Sequence, residues 1–199
     1  MSGCWRKWWS WKVGAVIAVA LVSCSSARPS GPPEATASAP PESPTAPTSI
    51  FESERHSYRL EVPAGWDVTE YGGTWTSVSQ FVPGAEIPGE DVVSSPDGAF
   101  LVINSMVIPK GMTSRDWLAK LDRLVAQGRD PSCSVTSGTD VLAAERARVV
   151  EHRCEEITLV GRSLVHGGRG YYFTIGYPAD DLATEEALER ILASTRFVG

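Results

Sequence analysis

From Ser25 to Ser49 the chain carries no Leu, Ile, Val, Phe, Tyr or Trp, and seven of its 14 prolines fall there. A stretch of that composition cannot bury enough apolar surface to offset its ordering entropy, so it stays outside any core. The 199 residues are thereby divided. Whatever folds lies in residues 50–199, which suffice for one core without metals or many disulfides. Residues 24–49 are expected to form a disordered tether, biased by proline toward polyproline II, with a reach between roughly 30 Å as a coil and roughly 75 Å extended.

Residues 1–23 are read separately. Arg6, Lys7 and Lys12 form a basic start with no acid, and Val13–Val22 is an apolar run of ten residues. That length fits the apolar region of a signal peptide and falls short of a bilayer span. Leu21-Val22-Ser23-Cys24 follows and resembles the bacterial lipobox. The resemblance implies cleavage before Cys24 and acylation of its thiol. Two or three chains anchor stably, because each buried CH2 contributes about 0.8 kcal/mol and one chain alone is marginal. Loss of the leader takes the formal charge from −6 to −9. An acidic chain is a poor partner for nucleic acid, and it is repelled by anionic headgroups, so the lipid has to do the anchoring. The expected location is the extracytoplasmic face of the cell membrane.

Within residues 50–199, Tyr58-Arg59-Leu60-Glu61-Val62 alternates with period two and stops at Pro63-Ala64-Gly65, as a strand does. Thr74–Val82 is rich in strand formers and reads as a second strand. Residues 83–98, with three Pro and three Gly, read as a long loop. Ala99–Ile108 has strand length. Trp117, Leu118, Leu121, Leu124 and Val125 recur at helical spacing after a cap at Thr113 or Ser114, and Gly128 ends that helix. Strands follow near Val141-Leu142, at Ala147–His152, at Ile157–Val165 and at Tyr171–Tyr177, the last two joined by a turn at His166–Gly170. Thr184 is the expected cap of a final helix carrying Leu188, Ile191 and Leu192. The class is α+β, on a mainly antiparallel sheet with two main helices.

Cys133 and Cys154 are 21 positions apart in an exported chain, where disulfides persist. Zinc would ask for four closely grouped ligands, and no Cys-x2-Cys pair is present. A disulfide is therefore expected. His56, His152 and His166 lie in no nucleophile or metal motif, so no catalytic residue, metal site or cofactor is assigned, and the histidines read as polar turn residues. Gly167-Gly168-Arg169-Gly170 is followed by a strand rather than a helix, which makes it a hairpin and not a phosphate cradle. The acidic pairs Glu155-Glu156 and Asp180-Asp181 lack the alternating ligands of a calcium loop. Trp66, Tyr71 and Trp75 are either an exposed aromatic surface or half-buried sheet positions. With Ile87 in the long loop and Arg169 in the hairpin they form the candidate binding surface.

Tyr58–Trp66 ends in a strand, Pro, small residue, Gly-Trp sequence that resembles the opening of the PsbP-like fold, found also in small secreted actinobacterial lipoproteins. The Pro109-Lys110-Gly111 entry to a Trp-containing helix, the two spaced cysteines, the Gly-Gly-Arg-Gly-Tyr hairpin and the Thr195-Arg196-Phe197 close extend the likeness over about 56–198. It implies a three-layer α/β/α sandwich around an antiparallel sheet. It also implies a non-catalytic binding or assembly module, here for a protein partner in the cell envelope. The alternative is a carrier or sensor of a small apolar or glycan ligand. Nothing in the chain points to photosynthesis, so that role of the family is not carried over.

Overall fold

The computed structural model describes residues 47–73, 75–81, 89–128 and 130–198. The leader, Cys24, the tether up to residue 46, Thr74, and Ile87 with the rest of 82–88 lie outside the described residues. In chain order the elements are β1 (Thr48–Ser53), β2 (Tyr58–Pro63), β3 (Asp67–Glu70), β4 (Asp91–Ser94), β5 (Phe100–Val107) and α1 (Ser114–Gln127). Then come β6 (Ser134–Leu142), β7 (Glu145–Arg153), β8 (Ile157–His166), β9 (Arg169–Pro178), α2 (Leu182–Ala193) and β10 (Arg196–Phe197). Strands β3-β4-β5-β9-β8-β7-β6 make a seven-stranded sheet, and β1-β2-β10 a three-stranded one. All the pairings are antiparallel.

The layers follow from the alternation of β9. Tyr171, Phe173, Ile175 and Tyr177 point to one face, where Leu188, Ile191 and Leu192 of α2 and Tyr58, Leu60 and Val62 of β2 complete the core. Tyr172 points to the other face and meets Trp117, Leu121 and Val125 of α1. Helix therefore covers both faces, as expected for an α/β/α sandwich. The docking of α1 is close: a Cβ on Gly170 would sit 2.4 Å from the Trp117 ring, so only glycine admits the indole there. On the α2 side, Arg162 Nη2 donates to both Glu189 oxygens at 2.8 and 3.0 Å and its Nε to Asp140 Oδ2 at 3.2 Å, joining helix, β8 and β6.

Both helices start on local chemistry. Thr113 Oγ1 accepts from the Asp116 N–H at 3.1 Å and donates to its carboxylate at 2.7 Å. The second helix is capped by Asp181 and not by Thr184: Asp181 Oδ1 accepts the Thr184 N–H at 3.0 Å, so the helix opens three residues earlier than expected. Cys133 and Cys154 are bonded, with Cα atoms 4.3 Å apart, tying the loop after α1 to the end of β7. A closure of this length contributes about 3 kcal/mol by restricting the unfolded chain.

Other expectations give way. The segment expected as a strand at 74–82 is, where described, a single 3-10 turn at Val78–Gln80. Ser77 and Gln80 form a capping box there, and these side-chain bonds outcompete a ladder. The spacing of Trp75, Val78 and Phe81 then puts all three against α1. The long loop contains β4, and β3 precedes it; both strands are short, and β3 is polar, so periodicity did not show them. Strand β1 begins at Thr48, inside the expected tether, because Thr48 and Ser49 pair with Pro63 and Val62.

The β6–β7 turn is the sharpest local conflict. Leu142 pairs with Glu145 across Ala143-Ala144, whose φ values are 50° and 67°. This is the left-handed conformation that two-residue hairpins require and that Asn-Gly adopts readily. Alanine there costs on the order of 1–2 kcal/mol per residue. Replacing the pair by Ala143→Asn with Ala144→Gly should raise stability by about 1 kcal/mol or more in urea unfolding. An unchanged or lower midpoint would show that the turn carries no such strain.

Candidate functional site

The β1–β2 loop folds His56 under the edge of the large sheet. Its ring is 1% exposed and its Nδ1 lies 2.7 Å from Ser105 Oγ on β5. Ser105 Oγ also accepts from Arg169 Nη1 at 2.9 Å. On the other side His56 Nε2 is 3.9 Å from Asp91 Oδ2 on β4, beyond hydrogen-bond reach, and that same oxygen accepts from Tyr58 OH at 2.8 Å. Tyr171 OH donates to the His56 carbonyl at 2.8 Å. Strand alternation explains the meeting: Asp91, Ser105, Arg169 and Tyr171 share one sheet face with Val93, Ile103 and Phe173.

Serine, histidine and aspartate in contact are the residue types of nucleophilic hydrolysis. The arrangement does not meet the geometric needs of that chemistry. Ser105 is 2% exposed and Asp91 is fully buried, so no substrate carbonyl reaches the hydroxyl. The hydroxyl is moreover held by Arg169, and the carboxylate by Tyr58. The network fixes the loop to the sheet. Burial lowers the His56 pKa below 6.5; Asp91 and the Gly89 carbonyl oppose the shift, while Arg169 and Arg55 add to it. Burial, with Asp91 second, raises Tyr58 well above its ordinary value, and burial pushes Tyr171 up to about 12.

The open concavity lies elsewhere. Between α1 and the β6–β7 end of the sheet runs a groove of about 460 Å3, with Val125 and Ala126 on its helix wall and Val135 and Val150 on its floor. Asp122, Ser137, Thr139, Arg148 and His152 supply its polar lining. Arg148 pairs with Asp122 across it. A second hollow of about 350 Å3 adjoins it through Thr139 and Arg148, with Leu118 and Arg146. An apolar floor with two guanidinium groups at one end suits an amphiphile with an acidic or hydroxyl-rich head.

The residues singled out from sequence do not form one surface. Trp75 is 4% exposed and packs edge-on to Phe81, which meets Tyr172 in turn, because the 3-10 turn rolls it inward. Arg169 is committed to Ser105 in the interior network. Trp66 is half-buried against the α2-side core. Among the described ones only Tyr71 is open, at 50%, with its carbonyl held by Arg55. His56 is a buried anchor rather than a polar turn residue, whereas His166 is half-exposed beside Glu145. Sequence reasoning missed Ser105 and left Asp91 in the long loop, whereas it is a buried residue of β4. The signal was the polar pair Asn104-Ser105 inside an otherwise apolar run. Among the described residues no group of three potential metal ligands comes together.

Fold and site define an antiparallel α/β/α sandwich with a sealed polar network and an open helix–sheet groove. That fold is PsbP-like. The solution structure of cyanobacterial PsbP (CyanoP) from Synechocystis matches with a TM-score of 0.52 at 15% identity, over 77% of this chain and 94% of that one. The crystal structure of LpqN, described as involved in cell envelope biogenesis of Mycobacterium tuberculosis, matches with a TM-score of 0.46 at 12% identity, over 77% and 91%. No protein-family model and no curated protein matches the chain.

A depressed histidine pKa means that the unfolded chain binds the proton first on acidification. Stability from His56 is therefore complete above 6.5 and is lost as pH falls from there through the folded value. Urea titrations between about pH 7 and about pH 5 should show a smaller loss for His56→Gln than for wild type. Equal losses would show that His56 does not couple to folding.

Proposed function

We propose that this chain is an exported lipoprotein, anchored through Cys24 on the extracytoplasmic face of the cell membrane, whose domain works by noncovalent binding. The leader, the tether and the cysteine at its start support the location. No described helix is long and apolar enough to cross a membrane. The groove between α1 and β6–β7 carries the binding reading. Its volume of about 460 Å3 lies within the range of small-ligand sites, about 300–1,000 Å3, and its lining joins an apolar floor to the Arg148–Asp122 pair. The ligand class is a small amphiphile with an anionic or hydroxylated head. Arg146 of the adjoining hollow would pair with the head and the valines would cover the apolar part. Assembly with a protein partner is the second reading, favoured by exposed Tyr71 at the end of β3.

The test is amide NMR on the secreted chain carrying Cys24→Ser, titrated with dodecyl phosphate below its micelle concentration. Saturable shifts should gather at Val125, Ala126, Val135 and Val150, and Thr139→Trp, which fills the space shared by both hollows, should abolish them. Shifts centred on Trp66 and Tyr71, or no saturable shift, would remove the groove as the site.

A further inference from the structure

We propose that two copies of this chain join through β6, antiparallel about Gly138, so that each seven-stranded sheet continues into the other. Strand β6 is the outer strand of the sheet, nine residues long, and most of its residues are exposed. Among the described residues no strand covers its outer side. The opposite edge is treated differently: β3 has four residues, of which Asp67 and Glu70 are acidic, the usual defence of an edge against pairing. Strand β6 carries one acid, Asp140, and no Lys or Pro.

The ladder fixes which peptide groups face outward. The Cys154 N–H donates to the Ile157 carbonyl, so the even residues of β7 bond to β8. The odd residues of β7 then bond to Ser134, Thr136, Gly138, Asp140 and Leu142. Val135, Ser137, Thr139 and Val141 are left with N–H and C=O groups directed away from the sheet. The Val141 N–H is occupied by its neighbour's carboxylate, at 2.7 Å from Asp140 Oδ1, as an open edge donor is until a strand replaces it.

The sequence of this edge is complementary to itself. With Gly138 opposite Gly138 of the second copy, Ser137 meets Thr139, Thr136 meets Asp140 and Val135 meets Val141. Ser137–Thr139 and Val135–Val141 become the hydrogen-bonded pairs, formed by the outward peptide groups. Hydroxyls face a hydroxyl or a carboxylate, no like charges oppose each other, and Val141, 70% exposed in the single chain, gains an apolar neighbour. Shifting the register by two residues would put Asp140 or Thr136 opposite Gly138, and would lose the valine pairs.

The test uses the full secreted chain with Cys24→Ser. Sedimentation velocity should show a concentration-dependent dimer for this chain and loss of the dimer boundary for Thr139→Pro. That proline removes only an outward N–H, a position an edge strand tolerates, so an unchanged melting temperature should confirm the fold. Gly138→Cys has free space around its Cβ and should cross-link to itself under mild oxidation, since directly opposed residues bring Cα atoms within disulfide range. Thr136→Cys and Asp140→Cys should not cross-link alone, but should do so when mixed. A monomer at every concentration, a dimer that survives Thr139→Pro, cross-linking of Thr136→Cys alone, or an edge that takes only an extended peptide would each overturn the proposal.

Discussion

The domain depends on β9 being buried on both of its faces. A half-buried sheet needs one covering layer; a strand buried on both sides needs two, and the chain supplies α1 for one and α2 with the small sheet for the other. The glycines of the central strands are the counterpart of that burial. Gly161 leaves room for the Tyr172 ring, Gly170 for Trp117 and Gly176 for Phe100. Large side chains on one strand or helix thus rest directly on bare backbone of the next, which fixes strand register and helix position together.

Interior polarity follows from the same packing. Over β4 and β5 the β1–β2 loop closes the sheet face with His56, and the polar groups beneath take one another as partners at all but His56 Nε2 and Asp91 Oδ1. Leaving buried groups unpaired costs more than the pairing gains, so such a network holds position rather than supplying large stability. The Ser105, His56 and Asp91 set is explained by this role, while the groove on the other face is left open to solvent.

Sequence showed the long, strongly patterned elements. The α1 periodicity, the β8–β9 hairpin with Gly167-Gly168 at its turn, and the disulfide all came from local signals that tertiary structure did not override. It did not show β3 and β4, whose four-residue lengths carry too little alternation, and it misread 74–82, where a capping box decides the backbone. The full β6–β7 hairpin was hidden because Ala143-Ala144 carries no turn signal. The groove was hidden with it. The candidate surface was assembled from exposed-looking aromatics, but Trp75 faces inward once the turn is 3-10, and Arg169 found its partner 64 positions away in Ser105. Contacts across that separation leave no trace in local pattern.

The alanine turn has a consequence in time. A hairpin whose connecting residues resist the bend does not nucleate by itself; it forms only when a neighbouring strand offers a template. Strand β8 is that template, and β9 flanks it on its other side. The end of the domain that lines the groove is therefore held by β8 and by the Cys133–Cys154 bond rather than by its own turn.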